Sequence, residues 1–206
     1  MQEKEFVRFG GFPRVVLSEK EVKKDILMNY IDTILMKDIL GRYNLKNSDI
    51  LKKVTHIIST NDTKLTNINA LAKTLGIRYE TCANYISYLK ETYFLYELKN
   101  FNFSIQKQIK SNSKFYNIDT GIINSTSFRF KEEKGGLLEN VIINYLVRNL
   151  NEVYYFNKKN ECDFVAKRGK KINELIQVCY NLNKNNRKRE INGLHEAMEE
   201  FKLKKG

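Results

Sequence analysis

The sequence is poor in the features that mark several protein classes. It contains one proline in 206 residues, no run of eighteen apolar residues and no N-terminal signal pattern. Its three cysteines, Cys82, Cys162 and Cys179, show no C-x-x-C spacing, so neither a structural zinc site nor a disulfide framework is indicated. Together these absences predict a soluble, cytoplasmic protein with no membrane-spanning segment.

The chain does contain enough apolar material for a core, and its positive charge is unevenly distributed. Hydrophobic residues make up 42% of the chain and aromatic residues 12%, which suits one large domain or two small ones. Residues 1–51 hold nine Lys or Arg against eight acids, residues 52–115 ten against four, and residues 116–206 seventeen against twelve. This excess predicts contact of the later parts with a polyanion, although solubility alone also explains it.

The most informative stretch runs from residue 135 to residue 180. Hydrophobic periodicity predicts one helix and then three short strands, over Leu137–Leu150, Val153–Asn157, Cys162–Lys167 and Ile172–Tyr180. On the helical wheel Glu139 lies among isoleucines and leucines, away from a polar stripe that includes Asn140. A carboxylate centred on an apolar face is costly to bury without a partner. Three kinds of partner are open for Glu139: a cation, a set of backbone donors or a metal.

The predicted strands add further polar groups. Because side chains alternate along a strand, Asp163 is expected to point opposite to Cys162. By the same rule Gln177 and Cys179 are expected to share one face. Carboxylate and carbonyl oxygens suit a hard cation such as Mg²⁺ or Mn²⁺. Glu139 and Asp163 are therefore the candidate metal ligands.

Residues 49–103 carry the spacing of a winged helix-turn-helix. A first helix, Ile50–Ser59, is followed by a turn at Asn61 and Asp62, and Phe94–Phe103 begins a wing hairpin. The apolar stripes of the second and third helices are Ile68, Leu71, Ala72 and Leu75, then Cys82, Tyr85, Ile86 and Leu89. The pattern predicts the module and does not by itself predict DNA binding.

The groups available for nucleic acid lie mainly at the edges of this module. The outward face of the third helix carries Asn84, a side chain that can read adenine, together with the acids Glu80 and Glu91. The candidate nucleic-acid-binding residues are Arg78, Asn84, Lys90, Lys99, Lys107 and Lys110. This distribution favours holding the DNA backbone over reading its sequence, and a winged helix that packs against protein is the alternative.

Three smaller expectations concern local structure. Ser18 and Glu21 have the spacing of a capping box at the start of a long helix. Asp119 is expected to be a turn residue, or else to face the Glu139 site. The last helix is predicted over Lys188–Leu203, with the acids Glu190 and Glu196 on its solvated side.

Stretches along nearly the whole chain resemble the C-terminal half of a prokaryotic family of AAA-type ATPases that is common in archaea. They are FGGFPRVV, ILMKDILGRY, LAKTLGIRYETCANYISYLKETYFLYEL, KFYNIDTG, GGLLENVIINYL, ECDFV and LIQVCY. In that family a P-loop module precedes a helical segment, a winged helix and a nuclease-like domain. This chain has no G-x-x-x-x-G-K-[ST] motif, so the resemblance implies a region that binds no ATP itself and works with an ATPase module or full-length ATPase subunits.

The order of polar groups in the last third resembles the PD-(D/E)XK restriction-endonuclease-like core. In that core Glu, Asp and an E-x-K dipeptide gather around a divalent metal. Here Glu139 and Asp163 match the two acids, Gln177 takes the position of the third acid and Cys179 that of the Lys. A neutral thiol stabilises charge on a phosphate poorly, so the resemblance implies a degenerate site. The alternative interpretation is structural. In it, Glu139 is buried in a non-catalytic core and is paired with a Lys or an Arg.

These observations predict an α/β (α+β) chain in three parts. Residues 1–48 form a helical segment, residues 49–115 a winged helix-turn-helix, and residues 116–206 a restriction-endonuclease-like domain with a small mixed sheet flanked by helices. The last domain is expected to be truncated at its C-terminus, which leaves a sheet edge for a partner or a second copy of the chain in a homo-oligomer.

The predicted function is a DNA- or partner-binding accessory region of an ATPase, with an inactive nuclease-like domain. One alternative is a Mg²⁺- or Mn²⁺-dependent DNA nuclease in which Lys167 or Lys171 replaces the missing Lys. Another is a pure interaction module whose winged helix packs on the ATPase half.

Overall fold

The computed structural model describes residues 3–45, 47–126, 134–149 and 152–204, and it confirms a chain that combines helices with two small sheets. In these ranges the helices are α1 (Glu3–Phe9), α2 (Pro13–Leu17), α3 (Lys23–Thr33), which continues as a π-helical segment (Ile34–Gly41), α4 (Ser48–Thr60), α5 (Ile68–Leu75), α6 (Tyr79–Glu91), α7 (Ile105–Lys110), α8 (Thr120–Thr126), α9 (Lys134–Asn149) and α10 (Arg187–Phe201). The strands are β1 (Leu65–Thr66), β2 (Leu95–Leu98), β3 (Ser113–Asn117), β4 (Glu152–Asn157), β5 (Glu161–Arg168) and β6 (Lys171–Ile176).

The chain divides into two compact units. The first comprises Met1–Glu97 and Lys114–Glu132, and the second comprises Leu98–Ser113 and Glu133–Gly206. The segment between β2 and β3, which includes α7, therefore groups with the last third of the chain. The three-part division at residues 49 and 116 stays a prediction.

The helices α4, α5 and α6 begin and end where local signals place them. Asn47 caps α4 by accepting a hydrogen bond from the backbone of Ile50 at 3.1 Å, and Asn67 caps α5 in the same way. Gly76 ends α5 in the left-handed conformation, with φ of 65°, which glycine adopts at little cost. A three-stranded sheet in the order β1-β3-β2 completes this part of the chain.

The core of the first unit confirms the predicted apolar stripes. Leu71 and Ala72 of α5 are buried, while Ile68 and Leu75 pack beside them at the margin. The predicted inward residues of α6 are all buried, namely Cys82, Tyr85, Ile86 and Leu89. They meet Leu51, Val54 and Ile58 of α4 in one hydrophobic cluster. Burial of apolar side chains at this spacing is the main source of stability for such helices.

The predicted capping box at the N-terminus is wrong. Helix α3 begins at Lys23, and the Ser18 hydroxyl donates a hydrogen bond to the Arg14 carbonyl at 2.6 Å, at the end of the preceding helix. The Lys23 ammonium is buried, where it donates to the Val15 carbonyl at 2.7 Å and pairs with Glu5 at 3.2 Å. A buried cation needs such partners, so the C-terminus of α2 and an acid satisfy it.

Asp119 makes the local hydrogen bond expected of a turn residue and also a long-range one. Its Oδ1 accepts from the Gly121 backbone at 2.7 Å, and its Oδ2 accepts from the Gly11 backbone at 2.7 Å. A Cβ on Gly10 would lie 1.6 Å from the same carboxylate. Asp119 therefore fastens the N-terminal Gly-Gly turn to the start of α8, within the first unit.

The second unit contains the antiparallel sheet β4-β5-β6. One parallel bridge, between Asn100 and Tyr155, adds the segment after β2 to the edge of β4. The strand β6 ends at Ile176, four residues before the predicted end at Tyr180. Phe156, Cys162, Val165 and Leu175 form a hydrophobic cluster with Ala197 of α10, so α10 packs on this sheet.

None of the helices in the described ranges is both long enough and apolar enough to span a bilayer.

Candidate functional site

The predicted acid on β5 lies at an irregularity of the sheet. Tyr154 pairs with Val165 and Phe156 with Cys162, so a two-residue step on β4 faces a three-residue step on β5. This is a β-bulge, and it sits at Asp163. Cys162 and Val165 consequently belong to the same hydrophobic cluster. The simple alternation predicted along this strand is therefore interrupted between Cys162 and Val165, while the orientation of Asp163 opposite to Cys162 stays a prediction.

Asp163 is buried, with 6% of its surface exposed, and its carboxylate is bonded to the backbone that follows β6. Its Oδ2 accepts a hydrogen bond from the Val178 N–H at 2.8 Å. A carboxylate can be held ionised in a buried place by such backbone donors. The structure thus brings Asp163 next to the Gln177–Val178 backbone, as the predicted order of strands requires.

Gln177 is tied to the last helix. Its amide nitrogen donates to a carboxylate oxygen of Glu190 at 2.7 Å. Among the described residues its Oε1 is buried and accepts no hydrogen bond, and it lies 3.5 Å from the position of a Cβ on Gly193. The amide oxygen therefore faces the packed surface of α10.

Cys179 also lies beyond the end of β6. Its Sγ accepts a hydrogen bond from the Asn186 side-chain amide at 3.6 Å. The prediction that Gln177 and Cys179 share one face of a strand is wrong, because the strand ends at Ile176 and each side chain then finds its own partner.

Glu190 was placed on the solvated side of the last helix, and this prediction is wrong. Only 7% of its surface is exposed, and its carboxylate accepts from Gln177 and from the guanidinium of Arg189. The signal was present in the sequence, because Glu190, Gly193, Leu194 and Ala197 follow the i, i+3, i+4, i+7 spacing of one helix face.

Glu196, the second acid placed on that solvated side, is half-buried and bonded. Its carboxylate accepts the backbone N–H groups of Lys159 and Asn160 at 3.0 and 2.9 Å. It thereby joins α10 to the turn between β4 and β5.

Arg189 is a cation of this region, and its guanidinium donates to the Glu190 carboxylate. This hydrogen bond is the first cause of the raised pKa of Arg189, and the charge of Asp163 adds to the effect. The Arg189 side chain is otherwise largely exposed. Lys167, a predicted replacement, is instead bonded to Glu152 at 2.7 Å, a contact that lowers the pKa of that carboxyl.

Glu139 does not occupy the centre of the buried face of α9. The buried residues of this helix are Leu137, Asn140, Ile143 and Leu146, and Glu139 is half-buried beside them. Asn140 was predicted on the polar stripe, but it is fully buried and its Oδ1 accepts from the Asn144 amide at 3.0 Å. The convergence of Glu139 with Asp163 and Gln177 stays a prediction.

The donor set fits a metal only in part. Within the described ranges no three His, Cys, Asp or Glu side chains are grouped to hold an ion. A hard cation takes six or more oxygen ligands, and Gln177 directs its oxygen into the α10 contact. The roles of Gln177, Glu139 and Asp163 in holding a Mg²⁺ or Mn²⁺ ion therefore stay a prediction.

Acid should weaken the attachment of α10 through Glu196. The hydrogen bond from the Lys159 backbone lowers the pKa of Glu196 below its usual 4.5, and the bonds from Asn160 add to this. A lowered pKa gives stability that is present above 4.5 and is lost as the pH falls through the lower folded value. In Glu196→Gln, unfolding of the second unit should vary less with pH between 7 and 3.

Thermal unfolding followed across this pH range measures the effect, with Glu174→Gln as the matched control because Glu174 is exposed on β6. The same pH dependence in wild type and in Glu196→Gln would contradict the prediction.

The predicted nucleic-acid-binding residues fall in both compact units. In the first unit Arg78 and Asn84 are exposed, at the start and along the outward side of α6, whereas Lys90 forms an ion pair with Glu97. In the second unit Lys107 and Lys110 are exposed on α7 and Lys99 is half-buried. Arg78 and Asn84 are thus the two candidates that α6 itself presents to solvent.

The chain is similar to proteins of archaea and bacteria. It is 36% identical to the "Uncharacterized protein MJ1544" of Methanocaldococcus jannaschii, over 97% of this chain and 46% of the relative. It is 26% identical to an "Uncharacterized protein" of Haemophilus influenzae, over 88% of this chain and 46% of the relative. The chain thus spans about half the length of the curated relatives it matches.

No solved structure shows a significant match to the chain. The family model described as "Domain of unknown function (DUF8612)" matches residues 2–133, which is more than half of the chain. The chain therefore belongs to the DUF8612 family.

Proposed function

We propose that this chain is a non-catalytic DNA-binding region of a longer protein, in which a winged-helix module holds the phosphate backbone. The observation that carries the proposal is the arrangement of α4, β1, α5, α6, β2 and β3 with the sheet order β1-β3-β2. Three helices with a short strand after the first, followed by two paired strands, are the parts of a winged helix.

The charge of residues 52–115 and the exposure of Arg78 support contact with the DNA backbone. Residues 52–115 hold ten Lys or Arg against four acids, and Arg78 is exposed at the N-terminal end of α6. Neutralising phosphates with such groups supplies sequence-independent affinity. Base reading has weaker support, because Asn84 is the one exposed amide that α6 contributes to its outward face in the described structure.

The hydrogen bonds of the nuclease-like unit support a structural role for its polar groups. Gln177 stands in the position of the third acid and is bonded to Glu190, while Cys179 stands in the position of the lysine and is bonded to Asn186. These groups fasten α10 and its preceding loop to the sheet. Neither Gln177 nor Cys179 supplies a carboxylate that could serve as a third metal ligand.

The longer protein is proposed to be an ATPase of the AAA type. The support is the resemblance of the sequence, together with relatives that are about twice as long as the matched region. The chain has no P-loop motif, so the ATPase module would come from elsewhere in such a protein or from other subunits.

Salt-dependent binding to a short DNA duplex tests the proposed function. Wild type should bind at low salt and lose affinity steeply as salt rises, and Arg78→Ala should weaken binding and reduce the salt slope by about one. Lys24→Ala is the matched control, since Lys24 is exposed on α3 outside the proposed module. Absence of binding by wild type even at low salt would remove the DNA-binding proposal.

The same protein tests the nuclease alternative, in which Glu139 and Asp163 hold the metal. Incubation of DNA with wild type and Mg²⁺ or Mn²⁺ should give no cleavage if the unit is non-catalytic. Cleavage that Asp163→Ala abolishes would establish the alternative, a metal-dependent nuclease, and overturn the non-catalytic part of the proposal.

A protein-interaction module is a second candidate, and one feature favours it. The helix α7 has no buried residue, and Phe103, Ile105 and Ile109 are 76%, 71% and 68% exposed. Exposed apolar groups gathered on a short segment are typical of surfaces that a protein partner covers. Mixing with a separately produced ATPase half tests this candidate, because capture that Ile105→Ser and Ile109→Ser abolish would support it.

A further inference from the structure

The second half of the outward face of α6 is occupied by a tyrosine from the segment before α4. The ring of Tyr43 stacks on Tyr88, with ring centroids 3.8 Å apart and an angle of 18° between the planes. The Tyr43 hydroxyl donates a hydrogen bond to the Glu91 carboxylate, which also accepts one from the Ser87 hydroxyl at 3.1 Å. We name this contact of Tyr43 with Tyr88 and Glu91 the Tyr43 cover.

The neighbouring backbone supports the cover. Asn44 follows Tyr43 with φ of 49°, in the left-handed region that asparagine tolerates better than most residues. The Tyr85 hydroxyl donates to the Asn47 carbonyl at 3.5 Å, which places the end of this segment against α6 as well. The backbone that follows Tyr43 therefore helps to hold Tyr43 against α6.

The cover restricts how α6 can meet a DNA duplex. The major groove is about 12 Å wide and an α-helix with its side chains is about 10–12 Å across, so a helix enters with little room to spare. A ring stacked on the outward face of α6 lies between that face and the base edges. The first half of the face, from Arg78 to Asn84, remains exposed.

Charge does not distinguish the two halves of this face. The hydrogen bond from Tyr43 lowers the pKa of Glu91, and the bond from Ser87 lowers it further, so this carboxyl is ionised at neutral pH. The charges of Arg42 and Lys90 also act on Glu91, while Arg78 and Glu80 carry opposite charges at the start of α6. The ring of Tyr43 is therefore what distinguishes the second half of the face from the first.

We infer that Tyr43 is a specificity-determining residue, because its ring prevents the second half of α6 from contacting DNA bases. The inference rests on the proposed function. DNA is held through the first half of α6 and its neighbouring basic groups, with little dependence on sequence. Removal of the Tyr43 ring opens Ser87, Tyr88 and Glu91 to the groove, where their polar groups contact base edges.

The test compares Tyr43→Ala with Tyr43→Phe, which keeps the ring and loses only the hydroxyl. Affinities are measured for a panel of fluorescent duplexes of equal length and different sequence. In wild type and Tyr43→Phe the affinities should agree across the panel within about twofold, whereas in Tyr43→Ala they should spread by about fivefold or more, the scale of a single base contact. Thermal unfolding confirms that both variants are folded.

A second readout reports on the cover without DNA. Ser87→Cys is made in a Cys179→Ser background, where the other cysteines, Cys82 and Cys162, are buried. Reaction of the new thiol with a maleimide should be about tenfold faster when Tyr43→Ala is added, because an open site reacts without prior opening. An equal labelling rate with and without Tyr43→Ala would show that Tyr43 does not cover this part of α6, whatever the DNA-binding results are.

The outcomes separate the inference from the proposed function. Faster labelling with a wider spread of affinities supports the inference. Faster labelling with an unchanged spread, in a protein that binds DNA, overturns the inference and leaves the proposed function standing. Faster labelling with no binding by any of the three proteins at low salt overturns both.

Discussion

Replacing Gly193 with alanine is expected to destabilise the second unit by about 3 kcal/mol or more. A Cβ on Gly193 would lie 1.9 Å from the Glu161 carbonyl oxygen and 2.8 Å from its carbon. These are backbone atoms of β5, so no side-chain rotation relieves the overlap. The helix α10 would have to lift from the sheet, which would also stretch the Gln177–Glu190 hydrogen bond.

Helix propensity alone predicts that Gly193→Ala would increase the free energy of unfolding. Alanine is favoured over glycine inside a helix by about 1 kcal/mol, so an exposed Gly193 would gain stability on substitution. The steric term is larger, and the net effect should be a loss. Unfolding by urea, followed by far-UV circular dichroism because the chain contains no tryptophan, measures it.

Gly135→Ala is the matched control for Gly193→Ala. Gly135 also lies in a helix of the second unit, and a Cβ there would meet no atom of the described structure within 4 Å. Its substitution should be neutral or stabilising. A Gly193→Ala variant as stable as wild type would show that α10 does not pack against β5 at the observed distance.

The second large effect is expected for Asp62→Ala in the first unit, at about 3 kcal/mol. Asp62 is fully buried, and its Oδ1 accepts hydrogen bonds from the backbone and the side-chain amide of Asn117 at 3.1 and 2.9 Å. The Ser59 hydroxyl donates to the same Asn117 at 2.9 Å. Alanine would remove the carboxylate oxygen that accepts both of these Asn117 hydrogen bonds in the core.

Asp62→Asn separates the loss of the acceptor from the loss of charge. Asparagine retains the shape and one acceptor oxygen, so it should cost clearly less than alanine, about 1–2 kcal/mol. The order expected in urea unfolding is wild type, Asp62→Asn, Asp62→Ala, from most to least stable. Equal stability of Asp62→Ala and wild type would contradict a structural role for this network.

Sequence reasoning predicted the elements of the first unit well, because their signals are local. The stripes of α5 and α6 follow the helical period, and the expected turn at Asn61 and Asp62 lies after α4. Each of these features depends on residues within one or two turns. The same local patterns did not predict that Asp62, within that turn, is fully buried beside β3.

The candidate site was predicted less well, because its geometry depends on contacts between distant segments. The bulge at Asp163 changes which residues share a face, and no local pattern announces it. The early end of β6 gives Gln177 and Cys179 separate partners. Glu190 is the exception, since the spacing of α10 already indicated its inward position.

The sequence by itself determined the helices α4, α5 and α6 and the apolar stripes of α5 and α6, because helical periodicity acts over a few residues. It also determined the charge, the absence of a P-loop motif and the candidate residues Glu139, Asp163, Gln177 and Cys179. Only the tertiary structure decided what those residues touch. Gln177 is held by a buried acid on α10 and Tyr43 covers α6, because such contacts join residues far apart in the chain and depend on packing that no single segment encodes.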